Sequence, residues 1–416
     1  IYKYCVEIKD EQKKANIEKW IKMEGEQGHR TLMVARKKIM SNDASIDLIK
    51  ENEYEFLGII SFVDMIKSSA KEAINDAKKL GVKIKIITGD SLEVAGAVAH
   101  QVGLIDAPDK VLLGAVWQEM NKVQQLDALK EYAVFARVSP EQKYNMIATL
   151  RDHFMVGFLG EGINDAPALK IASVSLVVDS ASDIAREAAD IALLQKDLKV
   201  IIDGIKEGRK VFANTTKYIK STLISNFGNF FAVATASLLI DFLPMLPIQL
   251  LLLNLLSDTP MILISTDTVD DDELVSPKKY EVKEIVFFAA ALGFLSTVFD
   301  FIFFGLFFRS GAAVLQTNWF IGSVLTELVL IFSIRTKFSI FKSSRPSKLL
   351  TRASIIIFLV TLFLPYSAFG QNIFHFSPPS IFNLIIIISI VGIYFVCTEI
   401  LKLMFYKKRN HNGVLT

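Results

Sequence analysis

Charged residues recur every few positions up to about residue 215, and beyond it the chain runs into long uncharged stretches. Residues 221–240 carry no charge over 20 positions, about the length that crosses a ~30 Å hydrocarbon core as a helix. Apolar stretches follow at 242–266, 285–308, 319–334, 353–374 and 381–401, so the pattern predicts six transmembrane helices. Upstream the periodicity alternates. Residues 56–63 (FLGIISFV) read as a short β run, 68–80 as a helix and 83–87 (KIKII) as a strand. Helical 91–102, strand 134–136, helical 141–152 and strand 155–159 follow. Strands separated by helices at this spacing predict βαβ units in a doubly wound parallel sheet. Such sheets bind ligands at the carboxyl ends of their strands, so reactive residues are expected just after strands.

Composition narrows this further. Of 416 residues, 51% are apolar and 22% charged, and the mean hydropathy of +0.38 excludes a disordered chain. Lys plus Arg is 46 and Asp plus Glu is 44, a net +2 that gives no support to nucleic-acid binding. Cys5 and Cys397 cannot build a disulfide framework or a thiolate metal cluster. The chain opens at Ile1 within structured sequence, which reads as a fragment. Lys278, Lys279 and Lys283, the six basic residues of 335–352 and the basic tail fall on alternate connections between the apolar runs. The positive-inside rule then predicts a multi-pass protein of the cell membrane, its soluble half and C-terminus cytoplasmic.

Three places could carry chemistry in the soluble half. Thr88-Gly89-Asp90 follows the strand at 83–87; its hydroxyl and nearby N–H groups suit an anion, although a turn capping a helix explains it as well. Gly160-Glu161-Gly162-Ile163-Asn164-Asp165 follows the strand at 155–159 and sets two carboxylates beside an amide. Mg²⁺ favours such hard oxygens, while the plainer reading is a glycine-rich turn. Lys143 sits near a helix N-terminus, where the helix dipole does not favour it; it either neutralises phosphoryl charge or lies on a solvated face. In the membrane half, Ser225, Asn226 and Asn229 cluster on one apolar run and Asn254, Ser257 and Asp258 on the next, with Pro244, Pro247 and Pro260 nearby. Asp300 and Glu327 are also intramembrane. Amides and hydroxyls can simply bond neighbouring helices, but a carboxylate in hydrocarbon calls for a cation or a proton.

Thr88-Gly89-Asp90, Lys143, the decapeptide 160–169 and polytopic helices, in that order, resemble the C-terminal part of a P-type ATPase. The stretches 254–258, 265–267 and 319–336 are most similar to the magnesium-transporting group. The resemblance implies that 1–55 end a nucleotide-binding domain, 56–205 form a haloacid-dehalogenase-like phosphorylation domain, and 206–416 form the six-helix membrane domain. It implies ATP and Mg²⁺ as cofactors, with Arg30 and Asp64 toward the nucleotide. Thr88, Gly89 and Asp90 would handle the phosphoryl group, Lys143 would offset its charge, and Asn164 and Asp165 would order the loop. Glu161 and Asp165 would serve the metal, and Asn226, Asn229, Asn254, Ser257, Asp258 and Glu327 would form the ion path. The partners implied are a transported cation (magnesium), the lipid bilayer and the N-terminal remainder of the same pump. A helix starting near Gly208 would link the two halves mechanically.

The sequence departs from the family's pattern in places. Met65 and Ile66 stand where prolines usually follow the hinge aspartate, and Glu161 stands where Asp is usual. The phosphorylated aspartate's Asp-Lys-Thr-Gly-Thr loop is not in this sequence. The alternative reading is therefore an inactive remnant or ion-binding module; a membrane-tethered phosphatase would need an N-terminal Asp-x-Asp that 1–60 lack.

Overall fold

The computed structural model describes residue 5 and residues 11–37 and 54–411; the remainder of the 1–55 segment expected to bind nucleotide lies outside the described residues. The chain divides into two compact units, Ile1–Gly204 and Ile205–Thr416.

In the first unit, β1 (Arg30–Arg36) and β2 (Glu55–Phe62) pair antiparallel, Arg30 opposite Phe62 and Leu32 opposite Ile60. The run at 56–63, expected to open the parallel sheet, is instead the partner of β1. The expected division between residues 55 and 56 thus falls inside a strand pair. The reason is visible in the burial pattern: both strands alternate along their length, which suits a two-stranded ribbon with one covered face. The parallel strands form two hydrogen-bonded sheets of three. β3 (Ile86–Ile87), β4 (Leu112–Leu113) and β5 (Val134–Ala136) order as β3-β5-β4; β6 (Gly157–Gly160), β7 (Val174–Val178) and β8 (Ile191–Leu193) order as β6-β7-β8. Val134, Phe135 and Ala136 are fully buried, as expected of a central parallel strand. β3 is shorter than the 83–87 run because its alternate residues are lysines, and Lys85 Nζ reaches out to the Tyr132 carbonyl at 2.6 Å.

The helix Pro140–Arg151 starts where its sequence directs. Ser139 accepts from the Gln142 N–H, Gln142 Oε1 accepts from the Ser139 N–H, and Pro140 occupies the first turn.

Among the described residues six helices are long and apolar enough to cross a membrane, the first starting just before the second unit: Leu198–Leu239, Pro247–Thr266, Val282–Ser310, Ala312–Ile334, Lys348–Tyr366 and Ile381–Lys407. The first begins at Leu198, ten residues before the expected Gly208, and is continuous for 42 residues. The second starts at Pro247 rather than 242, because two prolines break the approach and Pro247 fits the first turn. The fifth stops at Tyr366, where Pro365 lacks an N–H and Ser367 caps a separate short helix, Ala368–Phe374. The fourth span is the centre of the bundle, 83% buried against 22–44% for the others. Trp319, Phe320, Phe288 and Phe303 fill the core around it. The first and third spans approach closely through glycine: a Cβ on Gly228 would lie 2.9 Å from Ser296 Cβ, and one on Gly293 2.8 Å from Phe227 Cβ.

Candidate functional site

Two groups of side chains assemble at strand ends in the first unit. Thr88 follows β3. Its hydroxyl donates to Asp90 Oδ2 at 2.8 Å and accepts from the Asp90 N–H at 3.1 Å. The segment after β5 holds this turn from behind: the Arg137 N–H donates to the Asp90 carbonyl and the Val138 N–H to the Thr88 carbonyl. Arg137 adopts φ +51°, a left-handed conformation that costs a non-glycine residue on the order of 1 kcal/mol or more. Nothing in the sequence marked it. Arg30, at the start of β1, bridges Asp90 (2.9 Å) and Asp64 (3.3 Å) with its guanidinium 57% exposed. Its bond to Asp90 is the main force raising the Arg30 pKa above its ordinary value. Arg30, Asp64, Thr88 and Asp90 thus form one cluster, and Gly89 lies in its turn.

The second group forms after β6. Lys143, one turn into the Pro140–Arg151 helix, donates to Asp165 Oδ1 at 2.6 Å, and both side chains are largely buried. Asp165 Oδ2 accepts from the N–H groups of Glu161 and Gly162. Burial opposes ionisation of Asp165, but the Lys143 ammonium and these two N–H groups outweigh it and hold the carboxyl below its ordinary range. Lys143 is therefore held by Asp165, which also shapes the Gly160–Gly162 turn. Asn164, expected to order this loop, is exposed.

Glu161 diverges from Asp165 and pairs with Lys196 at 2.8 Å. One extra methylene over Asp carries its carboxylate outward to a lysine that sequence reasoning did not single out. Among the described residues no group of three or more His, Cys, Asp or Glu could hold a metal. With both Asp165 oxygens engaged, the residues present do not form a Mg²⁺ site by themselves.

In the second unit, the fourth span's Glu327 is 6% exposed and gathers neighbours from two other spans. Its Oε1 accepts from Ser225 Oγ at 2.5 Å and from Asn229 Nδ2 at 2.9 Å. Buried Ser257 lies beside the same carboxylate. Asn226, Asn254 and Asp258 are exposed within this unit, whereas Ser225, Asn229 and Ser257 lie beside Glu327. The helical turn of about 100° per residue explains it: Ser225 and Asn229 share the inner face, and Asn226 is rotated off it. Asp258 stays close enough to act electrostatically on Glu327.

Comparison with known proteins agrees with this architecture. Residues 3–173 match the model for haloacid dehalogenase-like hydrolases, and residues 242–404 match the model for the C-terminus of cation-transporting ATPases. A hydrolase domain of that kind joined in one chain to a cation-pump membrane domain defines the class. The chain is 36% identical over 392 residues to the magnesium-transporting ATPase, P-type 1, of Escherichia coli K12, covering 92% of this chain and 43% of that protein. It is 37% identical over 392 residues to the same-named protein of Salmonella typhimurium strain 14028s, with the same coverage. It is 30% identical over 380 residues to the calcium-transporting ATPase of Bacillus subtilis, covering 88% of this chain and 42% of that one. The chain belongs to the P-type cation-transporting ATPase family and spans less than half the length of these relatives.

Proposed function

We propose that this chain is the C-terminal part of a pump that moves a cation, magnesium, across the cell membrane at the expense of ATP. The phosphorylated aspartate is supplied by sequence outside these residues, since no Asp-Lys-Thr-Gly-Thr occurs among them. The observation that carries the reading is the Lys143–Asp165 pair, whose carboxylate also fixes the loop after β6, in a chain that buries Glu327 among membrane helices.

In this mechanism the Thr88 hydroxyl and the N–H groups of its turn donate to the phosphoryl oxygens. Lys143 neutralises charge that builds on them, and Asp165 keeps Lys143 aimed. A Mg²⁺ ion whose remaining ligands came from outside these residues would screen the phosphoryl oxygens, and Glu161 would be the carboxylate here that could hold it. Arg30, itself exposed, exchanges its two carboxylate partners for nucleotide phosphate, an easy exchange because ion pairs at the surface hold only about 0–1 kcal/mol. In the bundle, Asn229, Ser257 and Glu327 are the inner ligands of the path. Asn226, Asn254 and Asp258 form its outer edge, facing whatever covers that surface in the longer protein. The basic connections at 278–283 and 335–352 orient the soluble half toward the cytoplasm.

The test uses the full-length pump in proteoliposomes. Lys143→Met should lower acid-stable phosphoenzyme formed from ATP by at least ten-fold and abolish Mg²⁺ uptake; wild-type phosphoenzyme levels in that variant would refute the role given to Lys143. The rival reading, an inactive remnant, is favoured by the Glu161–Lys196 pair.

A further inference from the structure

Glu24, in the last turn of the helix Glu11–Glu26, takes no part in the mechanism above, yet one of its oxygens joins three elements. Its Oε2 accepts from the Ser61 hydroxyl of β2 at 2.6 Å and from His29 Nδ1, in the turn before β1, at 2.7 Å. A carboxylate cannot donate, so the His29 proton is on Nδ1. The Ser61 bond first, and the His29 bond after it, hold the Glu24 carboxyl below its ordinary range. Gly28, at φ +86°, makes the turn that brings His29 back over the helix end, where the His29 N–H also donates to the Glu24 carbonyl at 3.0 Å. The helix is seated in its turn on Leu92–Gln101, the helix that follows the Thr88–Asp90 turn: Gly25 is buried, and a Cβ there would lie 3.0 Å from Glu93 Cβ. Across the β1–β2 ribbon Thr31 pairs with Ser61 on the covered face and Arg30 with Phe62 on the open one. Successive strand residues point to opposite faces, so Arg30 leaves the ribbon on the side away from Ser61 and reaches Asp64 and Asp90.

We propose that Glu24 is a positioning residue for Arg30: by holding His29 and Ser61 together it fixes the end of the ribbon from which Arg30 meets nucleotide phosphate. The inference rests on the reading of Arg30 as that phosphate contact and adds what aims it. Arg30 follows His29 directly, and Ser61 stands three residues before Asp64, so one carboxylate sets the place of both ends of the Arg30–Asp64 pair. The contacts close a ring, from Asp90 through the Leu92–Gln101 helix, Gly25, Glu24 and His29 to Arg30 and back to Asp90. With Glu24 truncated, the ribbon end is held less firmly over the Thr88–Asp90 turn. Arg30 then has to be ordered when nucleotide binds, a cost that falls on affinity. Because Arg30 grips the nucleotide before and during phosphoryl transfer alike, the loss appears in KM and not in kcat.

The experiment uses the full-length pump in lipid nanodiscs, with ATP hydrolysis measured over a range of ATP concentrations. Glu24→Ala should raise the KM for ATP by about five-fold or more while lowering kcat by no more than about two-fold. Ser61→Ala removes one of the two hydrogen bonds and little bulk, and should raise KM by about two-fold. Glu24→Gln keeps an acceptor oxygen in place and should recover most of the affinity lost in Glu24→Ala. The double variant Glu24→Ala, Arg30→Ala should be no worse than Arg30→Ala alone, since a residue that acts through Arg30 then has nothing left to aim. An unchanged KM in both Glu24→Ala and Ser61→Ala would overturn the proposal, and so would single-variant effects that multiply in the double. A wild-type KM in Arg30→Ala would overturn the reading of Arg30 and this proposal with it. A raised KM in Arg30→Ala with none in Glu24→Ala would remove the aiming role alone and leave that reading standing.

Discussion

The connection after the second span turns on one carboxylate. Asp267 is completely buried and accepts from Arg335 Nε at 2.9 Å and Nη2 at 3.2 Å, from Lys217 Nζ at 3.2 Å and from the Ser347 N–H at 3.0 Å. The Arg335 side chain is 1% exposed and that of Lys217 11%, so both cations depend on Asp267 for charge balance. Asp267→Asn keeps the size of the side chain but removes the charge. Its amide then turns an N–H₂ toward one of the donors it replaced a partner for. Losing one member of a buried ion pair costs about 3–5 kcal/mol, against a total stability of roughly 5–15 kcal/mol for a domain. The assay is reversible unfolding in mixed detergent micelles, followed by circular dichroism, with Arg335→Met and the double variant completing a cycle. The expected outcome is a loss of at least about 3 kcal/mol for Asp267→Asn, little affected by salt, with a smaller loss in the double variant than the sum of the singles. A loss under about 1 kcal/mol would refute the argument that Asp267 is the main counter-charge of two buried cations.

Other outcomes follow from the soluble unit. Because Asp165 titrates below its ordinary range when folded, its stabilisation is complete above that range and is lost as pH falls through the depressed value. The stability gap between wild type and Asp165→Asn should therefore narrow on acidification below about pH 4, and a gap that widens there has the opposite sign from the one argued. Gly160→Ala would put a Cβ 2.8 Å from Asp165 Cβ; the overpacking should cost about 1–3 kcal/mol, and faster amide exchange at Glu161 and Gly162 checks it. Glu161→Asp in the full-length pump shortens the reach to Lys196 and should raise phosphoenzyme at limiting Mg²⁺. Equal phosphoenzyme in both versions would show that the extra methylene is harmless.

Much of the site was legible in one dimension because its chemistry is local. Thr88-Gly89-Asp90 and the 160–165 loop follow β3 and β6, where the parallel pattern put them. The pairing of Lys143 with Asp165 was not legible: the two are 22 residues apart, and only the packing of the Pro140–Arg151 helix against the short helix Ala166–Ile171 brings them together. Glu161 was legible as a departure from the family's Asp, but its turn toward Lys196 required the fold. In the membrane half the polar residues were countable along each run, yet the inner and outer members were not separable. Asn226 and Ser225 are neighbours in sequence and lie on different sides of the helix.

By itself the sequence determined where the solvent changes: uncharged runs near 20 residues, the prolines that start or stop them, and the βα alternation before them depend only on hydropathy and local backbone chemistry. Tertiary structure decided which strands pair and which polar groups meet. β2 joined β1 instead of the parallel strands, and Glu327 rather than Asp258 became the buried carboxylate beside Ser225 and Asn229. The physical reason is that a helix or strand fixes the spacing of its side chains, whereas the rotation of each element about its own axis is set only by what it packs against.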